Sequence, residues 1–279
     1  GLRVTGGDAA ELGGFHYGLG DGYDAGGGIY GITATVSMSS NLIIGNTAMA
    51  GGGLYLNGDN STLVSNVVSG NVATCPYMGC ARGGGLYIWG DSSTLAKNTI
   101  NYNTSNWDAG GAFLGGDGTV LSENSILSNT AAIVGGLLLF GVDANLSNNT
   151  FAANSAGGEG GGLARGDSEA TVAGNTFTAN NSNIGGGLET ERSDVTIIGN
   201  TFVDNATSGG GALYLSDSNA DLMDNEFLAN KSAYRAGGVV MSRSSVTMTN
   251  DIVASNVISV SNPTQHGSGL YLQDSSARM

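Results

Sequence analysis

Basic residues, prolines and long apolar runs are all scarce in this chain. Lys and Arg together number 9 against 23 Asp and Glu, which gives a formal net charge of −14 at pH 7. A phosphate backbone would be repelled, so we expect no nucleic-acid partner. The presence of 2 prolines beside 49 glycines excludes collagen. No stretch approaches the ~20 apolar residues of a membrane-spanning helix.

Cysteine and histidine are almost absent as well. The chain has 2 of each, Cys75, Cys80, His16 and His266, and the histidines lie far from the cysteines in sequence. A zinc site needs about four such ligands, so a local Cys75–Cys80 disulfide is the favoured interpretation and zinc is the alternative. Because disulfides persist in oxidising compartments, we predict an extracellular or cell-surface protein.

What the chain has in abundance is a repeat. A glycine-rich cluster followed by an apolar anchor residue recurs along it, and the commonest spacing between anchors is 25 residues, with every departure longer. This pattern indicates a fixed unit with inserted loops. The anchors are Ile29, Leu54, Leu86, Phe113, Leu138, Leu163, Leu188, Leu213, Val240 and Leu270.

A second motif follows each anchor and reads Asn, any residue, an apolar residue, two residues and Asn. Its clearest copies begin at Asn149, Asn175, Asn200 and Asn225. We interpret these asparagines as structural, because Asn tolerates left-handed backbone geometry and hydrogen-bonds its own main chain. Stacked at one corner of successive units, the side-chain amides can also bond each other.

Apolar residues alternate within each unit, as in Leu54-Tyr55-Leu56, which is the period of strands. Units of this size cannot bury an apolar face alone, but they can stack as successive coils. We predict an all-β chain that forms a single right-handed parallel β-helix (a solenoid) of about ten coils of ~25 residues. Residues 1–25 would form an N-terminal partial coil and 26–279 the repeats, with loop insertions near 72–82, 104–109, 231–236 and 257–266.

The combination of Gly-Gly-x-Ile/Leu/Val with Phe-x-x-Asn resembles the repeats of polymorphic outer-membrane proteins. It is also similar to the right-handed β-helix repeats of large secreted surface proteins, and the resemblance covers about residues 26–272. It implies a secreted or autotransported surface protein, often adhesive. It brings no catalytic residues with it, since the motif is that of a scaffold.

Aromatic side chains recur at the position after the anchor, which should face outward from its strand. Trp89 lies two residues after Tyr87 and therefore on the same face. An exposed column that includes Tyr55, Tyr87 and Trp89 suits contact with sugar rings, although Tyr also favours strands and stacks on itself. The predicted outward residues are Tyr30, Tyr55, Tyr87, Leu114, Leu139, Ala164, Glu189, Tyr214, Met241 and Tyr271.

The inserted loops bring a second aromatic group together. Two adjacent insertions place Tyr77 and Met78, inside the Cys75–Cys80 loop, next to Tyr102 and Trp107. Insertions on one face of a solenoid are often its binding face. We predict that these four side chains contact a partner, which would be another copy of the chain, another surface protein or a glycan.

One charged group on the body of the repeats offers a different function, the cleavage of polysaccharides. Glu189 and Glu191 point to one side of their strand, and Arg165 lies one coil earlier. Glycan hydrolases need paired carboxylates at a set separation. However, polygalacturonase motifs such as Asn-Thr-Asp and Gly-His-Gly are absent from the sequence. We therefore predict that the chain is not an enzyme and that this group is a surface ion-pair cluster.

An acidic residue also recurs shortly after the anchor strand. Calcium requires about six to eight oxygen ligands at one point. Carboxylates spaced one per coil are better explained as a solvated column of turns, so we expect no metal and no cofactor, with structural calcium as the alternative. The column consists of Asp59, Asp91, Asp117, Asp143, Asp167, Asp194 and Asp217.

Together these observations predict a non-enzymatic extracellular protein with a structural or adhesive role. No capping segment is visible before Gly1–Thr5 or after Leu270–Leu272. Open coil ends expose strand edges that pair with other chains, so we expect either a piece of a longer protein or a subunit of a self-assembling fibre. The alternative function is a carbohydrate-binding or polysaccharide-cleaving β-helix protein.

Overall fold

The computed structural model of the chain describes residues 1–9, 24–76, 79–166, 169–259 and 267–279. Its regular structure over these ranges consists of short strands that pair in parallel from one coil to the next. Within the same ranges, no helix is long and apolar enough to cross a membrane. The predicted all-β solenoid of stacked parallel coils is confirmed.

Each full coil contributes one strand to each of four sheets, which we number in the order in which a coil passes through them. Sheet I contains Ile29–Ile32, Leu54–Asn57, Leu86–Trp89, Ala112–Gly115, Leu137–Phe140, Leu163–Gly166, Leu188–Glu191, Leu213–Ser216, Val239–Ser242 and Leu270–Gln273. Sheet II contains Ser37–Ser39, Thr62–Val64, Thr94–Ala96, Val120–Ser122, Ala144–Ser147, Glu169–Ala173, Asp194–Ile198, Asn219–Met223, Ser245–Thr249 and Ser276–Arg278.

The remaining strands form the other two sides of the coil. Sheet III contains Arg3–Thr5, Leu42–Ile44, Val67–Ser69, Thr99–Asn101, Ser125–Leu127, Thr150–Ala152, Thr176–Thr178, Thr201–Val203, Glu226–Leu228 and Ile252–Ala254. Sheet IV contains Thr47–Ala48, Val72–Ala73, Thr104–Ser105, Thr130–Ala131, Ser155–Ala156, Asn181–Ile184, Ala206–Gly210, Lys231–Ser232 and Val257–Ile258.

The core is a continuous column of apolar side chains between the sheets. The middle residue of each sheet III strand points inward, and in four successive coils it is a phenylalanine with no solvent exposure. The ring centroids of these phenylalanines stack at 4.8, 4.6 and 4.7 Å, close to the strand spacing. The stack consists of Phe151, Phe177, Phe202 and Phe227. Each coil is therefore stabilised mainly by its two neighbours, as expected of a solenoid.

Two ladders of buried asparagines run along the rod, at the corners between sheets II and III and between sheets III and IV. In the second ladder, Asn129 donates from Nδ2 to Oδ1 of Asn154 at 3.0 Å and to the Ile100 carbonyl at 2.9 Å. Its backbone N–H donates to the same Oδ1 at 3.0 Å. The ladder residues are Asn66, Asn98, Asn124, Asn149, Asn175, Asn200 and Asn225, and Asn46, Asn71, Asn103, Asn129, Asn154, Asn180, Asn205, Asn230 and Asn256.

The left-handed backbone positions lie one residue before the ladder asparagines rather than at them. Tyr102, Ala153 and Ala179 have φ of 55°, 54° and 53°, and each precedes a ladder Asn. The asparagines are thus selected for the reach of their amides to the neighbouring coil, and the residue before them makes the bend.

The register of sheet I corrects three of the predicted anchors. Ala112, Leu137 and Val239 pair with Leu86, Leu163 and Leu213 of the neighbouring coils, so Phe113, Leu138 and Val240 lie one position beyond the anchor. A shift of one residue exchanges the two faces of a strand. The predicted outward residues Leu114, Leu139 and Met241 therefore point into the core, where each is almost completely buried.

The outer face of sheet I is largely covered by the connections that return from sheet IV. Ala50, Ala109 and Val134 of these connections pack against Tyr87, Phe113 and other outward residues. Glycine permits this close approach. A Cβ added to Gly53, for example, would lie 2.7 Å from the Gly85 carbonyl oxygen and 2.9 Å from the Asn71 amide.

Candidate functional site

The longest described connection from sheet IV to sheet I carries the disulfide. Val72–Ala73 is the sheet IV strand of its coil. A disulfide shortly after it joins Cys75 to Cys80, whose Cα atoms are 5.9 Å apart. Cys75 packs with Met49, Ala73 and Ala81 in a small buried cluster. Two predicted contact residues, Tyr77 and Met78, lie outside the described residues.

Trp107 of the following coil packs against this stapled segment, which we define as residues 74–76 and 79–82. The indole contacts the cluster around the disulfide and remains half-buried. A Cβ on Gly79 would lie 3.9 Å from the indole Nε1, so Gly79 lies within contact distance of the ring. The predicted proximity of Trp107 to the disulfide loop is therefore present in the structure.

Asn106 and Arg82 fasten the stapled segment to the next coil. Asn106 donates from Nδ2 to the Cys75 carbonyl at 2.8 Å and accepts the Cys75 N–H at 3.3 Å. Arg82 Nε lies 3.4 Å from Asp108 Oδ2, and its guanidinium lies 5.4 Å from the ring centroid of Phe113. Sequence reasoning did not find Asn106, and its place one residue before Trp107 is the signal that was available.

Burial changes the acidity of the carboxyl in this bridge. The Asp108 side chain is 14% exposed. Its desolvation raises the pKa to about 6, against the opposing effect of the Arg82 charge. The contact between the stapled segment and the next coil therefore includes a group that titrates in mildly acidic solution.

Tyr102 is not part of this cluster. It occupies the left-handed corner before Asn103 and is 66% exposed, at the opposite end of Thr104–Ser105 from Trp107. The predicted group of contact residues is thus divided by a sheet IV strand.

The aromatic column on sheet I is stacked on itself. Tyr30, Tyr55, Tyr87 and Phe113 follow one another with ring centroids 5.3, 4.8 and 4.9 Å apart. Tyr87 is 6% exposed, so it is covered rather than presented to a ligand, and Tyr55 is half-buried.

Trp89, at 39%, is more exposed than Tyr55 and Tyr87. Its ring occupies the space above Gly115 in the next coil, where an added Cβ would lie 2.5 Å from the indole Cζ3. Phe140 leans toward Gly166 in the same manner, with Cε1 3.7 Å from the corresponding position. Aromatic rings that cover strand glycines in this way stabilise the sheet.

The charged group considered for polysaccharide cleavage is divided between two faces of sheet I. Arg165 points into the core and is 1% exposed, whereas Glu189 and Glu191 alternate to the outer side of their strand. Burial, followed by the charges of Glu159 and Glu191, raises the pKa of Glu189 well above its usual value. Arg192 forms an ion pair with Glu191. The structure does not present Arg165 and the two glutamates to one substrate.

The carboxylates of the acidic column act mainly as hydrogen-bond acceptors for groups in the neighbouring coil. Oδ1 of Asp59 accepts the Asp91 N–H, and Oδ1 of Asp91 accepts the Asp117 N–H, both at 2.9 Å. Asp194 accepts from Asn219, and Asp217 pairs with Arg243. Asp167 lies outside the described residues. Among the residues that are described, no group of three or more His, Cys, Asp or Glu is placed to hold a metal ion.

A shallow groove of about 700 Å³ runs along the outer face of sheet II. Carboxylates, hydroxyls and amides line it. They include Asp143, Glu169, Asp194, Asp221, Thr171, Thr196, Asn145 and Asn219. The groove gives the rod a polar, acidic side.

Comparison with known proteins identifies the fold family. No curated protein matches the chain. Two solved structures of trypsin-treated QnrB1, a plasmid-mediated fluoroquinolone resistance protein, are similar along most of their length. One is 11% identical with a TM-score of 0.35, over 90% of this chain and 92% of that one. The other is 12% identical with a TM-score of 0.27, over 88% and 92%.

The sequence also matches a family model. The model describes a right-handed beta helix region, and it aligns with residues 27–181 and 135–278. These two matches together span the nine complete coils of the structure and all ten strands of sheet I. The chain therefore belongs to the right-handed beta helix family.

Proposed function

We propose that the chain is a non-enzymatic extracellular scaffold with a structural or adhesive role, and that it binds its partner through the stapled segment and Trp107. The observation that carries this proposal is the seating of a half-buried indole against a disulfide-closed segment. A contact surface held in place before binding loses less conformational entropy when it binds. Its partner would be another surface protein, a second copy of the chain or a glycan.

The extracellular location is supported by the Cys75–Cys80 disulfide, since such bonds persist in oxidising compartments. The resemblance of the Gly-Gly and Phe-x-x-Asn motifs to polymorphic outer-membrane protein repeats supports the same location and an adhesive role.

A role without catalysis is supported by how the polar residues are used. The ladder asparagines bond one another, and the acidic column accepts backbone N–H groups. Arg165 and Glu189 are buried on opposite faces of their sheet.

The chain contains a matched control for testing the role of Trp107. Trp107 donates its backbone N–H to Ser105 Oγ at 3.2 Å, and Tyr234 makes the same bond to Ser232 at 3.3 Å. Tyr234 is 60% exposed and lies on a coil without the disulfide. The two aromatic residues thus occupy equivalent positions in different coils, and only Trp107 lies beside the disulfide.

The experiment compares Trp107→Ala with Tyr234→Ala. Binding is measured to immobilised neutral and acidic polysaccharides and to the immobilised chain itself, after circular dichroism shows that both variants are folded. We expect Trp107→Ala to weaken binding to one of these probes by about 30-fold, the effect of an interface hot spot, and Tyr234→Ala to change it less than about twofold. Equal effects of the two substitutions, or no binding by the wild-type chain, would contradict the proposal.

A second candidate function, carbohydrate binding or cleavage, is favoured by Trp89. Its ring is 39% exposed and lies two residues before Asp91 of the acidic column, and an exposed indole offers an apolar face to a sugar ring. Loss of glycan binding in Trp89→Ala, with binding retained in Trp107→Ala, would favour this candidate.

A further inference from the structure

We propose that the interior of the solenoid binds a small inorganic anion of the halide class at Arg165. The residue is the third of Leu163–Gly166 in sheet I, and its neighbours in register are Leu139 and Thr190. Elsewhere in this inward column stand Leu56, Ile88, Leu114, Leu215 and Met241. Arg165 is the largest completely buried side chain in the described chain and is 1% exposed.

The guanidinium of Arg165 has no hydrogen-bond partner in the described part of the chain. Nε, Nη1 and Nη2 are all buried, and none has a hydrogen-bond acceptor among the residues that the structure describes. Leaving buried donors unsatisfied is costly, and the cost is greater when the group is charged. Burial lowers the pKa of Arg165 to about 10, so the group still carries its charge at neutral pH. Since the described residues offer no acceptor, we infer that an anion from solution supplies it.

The groups nearest to Arg165 in register do not accept a hydrogen bond from it. The Glu189 charge acts on Arg165, but Glu189 stands on the outer face of the sheet. Thr190 pairs with Arg165 in the next coil, and its Oγ1 donates to Ser218 Oγ at 3.4 Å.

Several inward positions in the coils around Arg165 carry small side chains. Ala144 in the preceding coil and Ala170 in its own coil are the first and second residues of their sheet II strands, and both are buried. Thr190 takes the place of the large aliphatic residue of the column in the next coil. These three side chains occupy less volume than Leu or Ile would at the same positions.

The charge and the size of the site together favour a halide ion. A neutral water molecule would accept a hydrogen bond but leave the positive charge uncompensated in an apolar core. A larger oxyanion has several acceptor atoms, and each would need a donor that the core does not provide. A halide is a single acceptor of unit charge.

The test uses the full chain and Arg165→Met, a replacement that preserves length and packing. Native protein is passed rapidly through a desalting column to remove free halide and is then unfolded, and the chloride that it releases is measured by ion chromatography. In parallel, wild-type protein is crystallised from sodium bromide for anomalous diffraction. We expect one chloride per wild-type chain, none from Arg165→Met, and a bromide peak in contact with the guanidinium.

The opposite results would overturn the proposal. These are no halide released from either chain, equal release from both, or bromide peaks confined to the surface, which would mean an adventitious ion only. If Arg165→Met does not fold, the position of the bromide peak in wild-type crystals decides alone. Density for water molecules in place of bromide at Arg165 would also overturn the proposal. None of these outcomes bears on the binding role proposed for Trp107.

Discussion

Replacing Asn180 by Ala tests how much the asparagine ladders contribute to stability. The Asn180 side chain has no solvent exposure and makes four hydrogen bonds. Oδ1 accepts the backbone N–H and Nδ2 of Asn154, both at 3.0 Å. Nδ2 donates to the Phe151 carbonyl at 2.9 Å and to Asn205 Oδ1 at 3.0 Å. Truncation removes all four and strands the buried Asn154 N–H.

The magnitude follows from these contacts. Each lost bond costs about 1 kcal/mol net, and a stranded buried donor adds about 1–3 kcal/mol. We therefore expect Asn180→Ala to lower the free energy of unfolding by about 5–7 kcal/mol. The neighbouring Asn181 is exposed, so Asn181→Ala should change it by less than about 0.5 kcal/mol. Urea unfolding followed by far-ultraviolet circular dichroism measures both.

An isosteric substitution separates hydrogen bonding from packing. In Asn180→Asp the second oxygen would face the Phe151 carbonyl and Asn205 Oδ1, which are both acceptors. The carboxyl must then be protonated in the folded state, so its pKa is raised there, and the variant should gain stability as pH falls. A cost for Asn180→Ala no larger than that of Asn181→Ala, or a pH-independent Asn180→Asp, would refute the account of the ladders.

Three further predictions concern the stapled segment and the sheet I face. The folded-state pKa of Asp108 lies above its unfolded value of 3.8, at about 6, so its contribution favours folding at low pH and is lost as pH rises through 6. The unfolding free energy of wild type relative to Asp108→Asn should therefore fall by about 2 kcal/mol between pH 4 and 7, and a constant difference would contradict this. Gly115→Ala should displace the Trp89 ring and shift its fluorescence to the red in a Trp107→Phe background, whereas an unchanged spectrum would mean that the ring does not cover the glycine. Cys75→Ser should lower stability by about 2 kcal/mol in chemical denaturation, because the disulfide closes a short loop, and an unchanged midpoint would show that the bond does not constrain the unfolded chain.

The fold could be predicted because each repeat contains the same two signals. Glycine clusters such as Gly51–Gly53 occur where a side chain would clash with the next coil, and the asparagines occur where an amide must reach it. Both requirements recur once per coil, so they appear in the sequence as a period.

The details of the faces were harder to predict. From the sequence alone, Ala112 could be either the last residue of the glycine cluster or the anchor itself. Only its pairing with Leu86 shows that Ala112 is the anchor and faces inward. The covering of Tyr87 depends on how the connections fold back, which has no period to detect. The burial of Arg165 could have been predicted from strand alternation, because Arg165 lies two residues after the inward-facing Leu163.

The central claim is that the chain acts by binding and not by catalysis. Its most direct test incubates the full chain with neutral and acidic polysaccharides, with and without calcium, and measures new reducing ends and unsaturated products. We predict no product above the buffer control under any of these conditions. Product formation that Glu189→Gln abolishes would contradict the claim and establish a polysaccharide-cleaving enzyme.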